Sequence, residues 1–197
     1  NLCYTIPLGG HTMNISSAKE VYDFWFNEGN EENWFIRNDA FDLEIRERFY
    51  DTWDAGRQGL LYKWRETFAG RLAEIIVLDQ FSRNLNRGSA DSYAQDGQAL
   101  ILAQHAIEHP DFERQPVNQK NFVLLPFMHS ESKNIQKISE QLYLKLDSET
   151  HTKYMVEHKE IIDRFGRFPY RNAVMNRPST SEELDFINGN NLDFTKV

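Results

Sequence analysis

Apolar residues recur along this chain three and four positions apart, the spacing of one helix face, and nowhere in a convincing run of alternation. Ser17-Ala18-Lys19-Glu20 is a capping box that opens a helix carrying Val21, Phe24 and Trp25 on one face. Asn30 to Trp34 reads as a loop. Asn38 or Asp39 caps a second helix, with Phe41, Ile45, Phe49 and Trp53 four apart and Gly56 at its end. A short segment holds Leu60, Leu61 and Trp64, and a third helix spans roughly Thr67 to Arg83. A fourth starts at Ser89 or Asp91 and stops at Pro110. A fifth, Asn118 to Leu125, breaks near Pro126. Ser132 to Leu146 and Glu149 to Phe165 follow, the latter closed by Gly166. Thr180-Ser181-Glu182-Glu183 is a second capping box, before a short helix ending near Gly189.

Helices joined by short connections predict an all-α fold of packed antiparallel helix pairs. Most of Phe24, Trp25, Phe41, Phe49, Trp53 and Trp64 are expected in its core. A length of 197 residues suits one domain, expected over 13–189. Asn1 to Thr12 has neither a helical period nor a basic n-region. It is read as a leader foreign to the natural chain, or else as a native ordered arm. Residues 190–197 form a polar tail expected to fray. Cys3 is the one cysteine, which excludes an internal disulfide and a cysteine-based zinc site. If the leader is foreign, the natural chain lacks cysteine, as suits a cytoplasmic protein. The longest apolar run, Ile75 to Leu78, is far too short to cross a membrane. Twenty-two Lys and Arg against 30 Asp and Glu argue against nucleic acid or an anionic membrane as partner.

Polar chemistry gathers in three places. In Leu78-Asp79-Gln80-Phe81-Ser82-Arg83-Asn84, Asp79 and Arg83 are four apart on one face, and Asp79 follows an apolar run. They form either a structural pair or part of a ligand site with Asn84. In Pro126-Phe127-Met128-His129-Ser130-Glu131, a histidine and a glutamate follow a helix end. His129 is a candidate general base oriented by Glu131, or else both are helix caps. The third place is His158 followed by Arg164-Phe165-Gly166-Arg167-Phe168-Pro169-Tyr170-Arg171-Asn172. Arginine suits clamping of carboxylate or phosphate and stacking on aromatic rings. Arg164, Arg167, Arg171 and Asn172 are therefore candidate ligand contacts, or else structural partners for the excess acids. No zinc signature, phosphate loop or nucleophile elbow is present, so no metal or cofactor is expected.

The ordered set of motifs resembles a bacterial family catalogued as domain of unknown function 924. The resemblance covers about Val21 to Ile187. It rests on Asp23-Phe24-Trp25-Phe26, Trp34-Phe35, the Asp79 and His129 segments, and the arginine run through Asn172. It implies an all-helical fold related to tetratricopeptide-repeat-like arrays, and no established activity. Ser82 stands where that pattern usually has proline, Tyr170 where it has histidine, and Asn176 where it has glycine. Two functions follow as expectations. The first is a small-molecule binding protein or enzyme, with an anionic ligand held between helices by the arginines and protons moved by His129 or His158 with Glu131. The second is a helical interaction scaffold, with a protein partner or a second copy, in which the same residues are braces. Trp34-Phe35 is either a dimer surface or a pocket lid.

Overall fold

A computed structural model describes residues 7–8 and 11–189. The fold is all-α, with helices α1 (Ala18–Phe26), α2 (Asp39–Arg57), α3 (Phe68–Ile75), α4 (Ser82–Leu85), α5 (Asp96–Ile107), α6 (Val117–Met128), α7 (Lys133–Leu144), α8 (Glu149–Phe165) and α9 (Ser181–Gly189). Before them, β1 (Pro7–Leu8) pairs antiparallel with β2 (His11–Thr12). The rest of the expected leader and the tail at 190–197 lie outside the described residues.

The helix starts follow from local chemistry. Ser17 Oγ accepts from the Glu20 N–H (3.2 Å), while Glu20 accepts from the Ser17 N–H (2.6 Å). Thr180 and Glu183 repeat the exchange at 3.2 and 2.8 Å. Asn38 Oδ1 accepts from two first-turn amides of α2. Gly166, at φ +73°, ends α8 in the left-handed conformation.

Four expectations are corrected. The third predicted helix is not α-helical throughout: Ile76–Phe81, between α3 and α4, is a π-helix. Its six residues are all buried, so packing from every side holds the wider turn. The fourth begins later, because Ser89 caps only a 3₁₀ turn and α5 starts at Asp96. The fifth runs through Pro126 to Met128; every residue from Asn121 to Met128 is buried, and that packing outweighs the hydrogen bond proline removes. Gly56 does not end α2. It is a contact point, where a Cβ would lie 3.0 Å from Val77 Cγ1, and the chain turns at Gly59 (φ +77°).

α1 packs on α3, α3 on α5, α5 on α6, α6 on α7, and α7 on α8. The short connections at 129–132 and 145–148 make α6, α7 and α8 antiparallel neighbours. An aromatic nucleus joins the front half of the chain to α6. Phe24 lies 4.9 Å from Phe49, Trp25 5.8 Å from Phe81, and Trp25 5.5 Å from Phe122, ring centre to ring centre. Gly70 lets α3 meet the preceding turn, where a Cβ would sit 1.9 Å from the Trp64 carbonyl oxygen. A backbone atom cannot yield as a side chain does. Gly70→Ala is therefore expected to cost about 3 kcal/mol in urea unfolding.

Candidate functional site

Where the π-helix meets the end of α6, a buried carboxylate faces a histidine. Asp79 Oδ1 is 2.8 Å from His129 Nδ1. An ionised carboxylate only accepts, so Nδ1 carries a proton, and in the neutral ring Nε2 is the acceptor. Gln80 Nε2 donates to Asp79 Oδ2 at 2.5 Å, and Arg83 Nη1 stands 3.2 Å from Oδ1 and donates to the Asp79 carbonyl at 2.7 Å. Burial would raise the Asp79 pKa. The charge of Arg83 and the contacts from His129 and Gln80 outweigh it and hold the carboxyl well below the usual range. Burial, then the Arg83 charge, push His129 down despite Asp79, so the imidazole is neutral at pH 7.

His158 stands 6.2 Å from His129, ring to ring, with Nδ1 2.7 Å from the Tyr154 carbonyl. A carbonyl accepts, so this Nδ1 is also protonated. Burial first, then the neighbouring His129 ring, push His158 down to about 3.

Both histidines border a cavity of about 370 Å³. Gln80, Arg83, Arg87, Asn121 and Arg171 also line it, with Trp34, Phe35, Tyr93, Tyr154 and Tyr170 as aromatic walls. Its volume lies within the range of small-molecule sites. Each guanidinium there already has a carboxylate. Arg83 pairs with Asp79 and Asp96, the latter at 3.0 Å. Arg171 pairs with Asp96 (3.0 Å), donates to the His129 carbonyl (3.2 Å), and lies over the Tyr93 and Phe168 rings at 4.3 and 4.5 Å. Arg87 pairs with Asp42.

The sequence candidates thus divide. Asp79, Arg83, His129, His158 and Arg171 come together. Asn84 is turned to Asp42 (2.7 Å). Glu131 is not beside the His129 ring; it accepts from Arg177 Nη1 (2.6 Å) and Nη2 (2.9 Å) and from the Phe168 N–H (2.8 Å). Arg164 pairs with Glu182 (2.8 Å), and Arg167 binds Glu183 through two bonds of 2.6 and 2.7 Å. Asn172 joins Ser179 and Glu183. All of these but Asn84 tie α9 and its approach to the end of α8 or to the turn after α6. Arg167→Ala is accordingly expected to speed amide exchange in α9 while leaving exchange around His129 unchanged.

Tyr170, the departure from the usual histidine, falls on the cavity wall, and burial pushes its phenol up to about 12. Ser82, the departure from proline, accepts from Trp53 Nε1 (2.9 Å) and donates to the Leu78 carbonyl (2.6 Å). Trp34 and Phe35 lie on the cavity, with Phe35 stacked on Phe122 at 5.7 Å. Sequence reasoning missed Asp96, Gln80, Tyr93 and Asn121. Only Gln80 had a signal, its place beside Asp79. Among the described residues no three His, Cys, Asp or Glu side chains converge as a metal site, and no helix is long and apolar enough to cross a membrane.

Fold and cavity define an all-α protein with an aromatic-walled chamber set over a buried aspartate and its partly buried histidine. The chain belongs to the bacterial proteins of unknown function DUF924, whose family model matches residues 21–191. It is similar to a solved structure titled as a protein of unknown function from Agrobacterium tumefaciens. Identity is 34%, TM-score 0.83, and the match covers 88% of this chain and 97% of that one. No curated protein matches the chain.

Proposed function

We propose that the cavity is a small-molecule site, of a binding protein or an enzyme, in which His129 is the general base and Asp79 positions it. The observation that carries this reading is the 2.8 Å Asp79–His129 contact at the cavity wall. A neutral imidazole with Nδ1–H held by a carboxylate offers Nε2 to a ligand proton. When Nε2 takes that proton, the imidazolium charge is met by Asp79 within hydrogen-bond distance. Glu131 has no part in this reading. Nor do the arginines serve as free anion clamps, since their charges are spent on Asp42, Asp79 and Asp96.

Diethyl pyrocarbonate tests it, because the reagent attacks unprotonated imidazole nitrogen. At pH 7 His129 is expected to be carbethoxylated, with exposed His105 as the internal reference. A folded protein modified at His105 and untouched at His129 would contradict the reading.

The sequential packing of α5, α6, α7 and α8 favours a second reading, a scaffold related to tetratricopeptide-repeat-like arrays. The two separate on His129→Gln, which would abolish small-molecule chemistry and leave a scaffold's partner binding unchanged.

A further inference from the structure

The cavity's charges and hydrogen-bonding atoms point to a class of ligand. Three guanidiniums border it, and three carboxylates, Asp42, Asp79 and Asp96, already pair with them. The two central histidines each spend one N–H on a protein oxygen, and burial with the nearby guanidiniums keeps both rings neutral. Among the described residues, the chamber therefore carries no surplus positive charge. An anion brought into it would be desolvated without a counter-charge, which a site of low dielectric penalises.

What the chamber does offer is uncharged. Gln80 spends its N–H on Asp79, leaving Oε1 as an acceptor. Asn121 accepts from Tyr143 Oη at Oδ1 (3.1 Å), leaving Nδ2 as a donor. His129 Nε2 is a further acceptor. Around these atoms stand aromatic walls, among them Trp34, Phe35 and Tyr93, suited to the faces of a flat ring.

We infer that the cavity takes an uncharged planar ring compound bearing an amide-type donor and acceptor, in preference to a carboxylate or phosphate of the same size. This rests on the reading of the cavity as a small-molecule site, and deepens it by naming the ligand class. Such a group pairs its N–H with Gln80 Oε1 or His129 Nε2 and its carbonyl with Asn121 Nδ2.

Benzamide and benzoate, nearly identical in shape, separate the two classes. Each is titrated calorimetrically into the full chain and into Phe35→Ala, a substitution at a half-exposed ring that spares the core. The expected result is benzamide bound at least about tenfold tighter than benzoate, and weakened by Phe35→Ala. Benzoate bound equally or more tightly, and weakened by Phe35→Ala, would overturn the ligand class and leave the cavity reading standing. Benzamide binding indifferent to Phe35→Ala would place it elsewhere and overturn the inference. Binding of neither would overturn both the inference and the reading beneath it.

Discussion

Asp79→Ala is expected to destabilise the fold by about 3–5 kcal/mol, the cost of removing one partner from a buried ion pair. Asp79 is fully buried and meets three groups at once: Arg83, Gln80 and His129. Without it, Arg83 keeps one of its two carboxylates, Asp96, beside the backbone carbonyl of residue 79, and the His129 N–H faces an emptied space. The π-helix would also lose the side chain that Gln80 and Arg83 converge on. Asp79→Asn keeps the shape and one acceptor oxygen, so it should fall between wild type and alanine. It should also lower the His129 pKa further, because the carboxylate that favours the imidazolium is gone. Urea unfolding measures the first effect and NMR titration the second. An Asp79→Ala protein of unchanged stability would mean that the carboxylate is not buried among these partners.

Stability should fall steeply as pH drops from about 7 to 5. His158 is pushed down to about 3 in the fold, whereas an unfolded histidine titrates near 6.5. Below 6.5 the unfolded chain therefore takes up a proton that the fold refuses. The stability His158 contributes is complete above 6.5, falls with pH, and is lost by about 3. The loss is about 1.4 kcal/mol per pH unit for each such group. His129 is lowered too and acts in the same direction. Arg171 and Arg83 face His158 and oppose its protonation, as burial and His129 do. Asp79 and Glu183, both held low by their partners, add their losses only below about 4. His158→Gln should therefore flatten the profile by about one proton's worth from about pH 6.5 down to about 3, leaving the losses from Asp79 and Glu183 in place. A wild-type profile flat over that interval would contradict the enclosure of His158 and, in part, of His129.

Much of the helical framework was legible because its signals are local. Ser17 and Glu20, Thr180 and Glu183, and Gly166 act within one turn of their own backbone. The π-helix was not legible, since Ile75 to Leu78 is as apolar as any α-helical stretch and only surrounding packing widens it. Asp79 and His129 were each visible as polar residues beside apolar helix, but their meeting across 50 positions is tertiary. The arginine run could not be sorted by adjacency. The left-handed Gly166 and the 3₁₀ turn at Pro169–Arg171 send Arg171 into the cavity and leave Arg164 and Arg167 with the glutamates of α9. Asp96 escaped notice because an acidic residue in the first turn of a helix is ordinary dipole chemistry. Its two arginines, Arg83 and Arg171, lie 13 residues before it and 75 after.

The central claim is that His129 presents an unprotonated Nε2 to the cavity because Asp79 holds its Nδ1–H. The ¹⁵N shifts of its ring nitrogens at pH 7 test this directly, with assignment by His129→Gln. The account predicts a neutral ring protonated at Nδ1, with Nε2 at the shift of a lone-pair nitrogen. A ring protonated at Nε2, or an imidazolium at that pH, would contradict it.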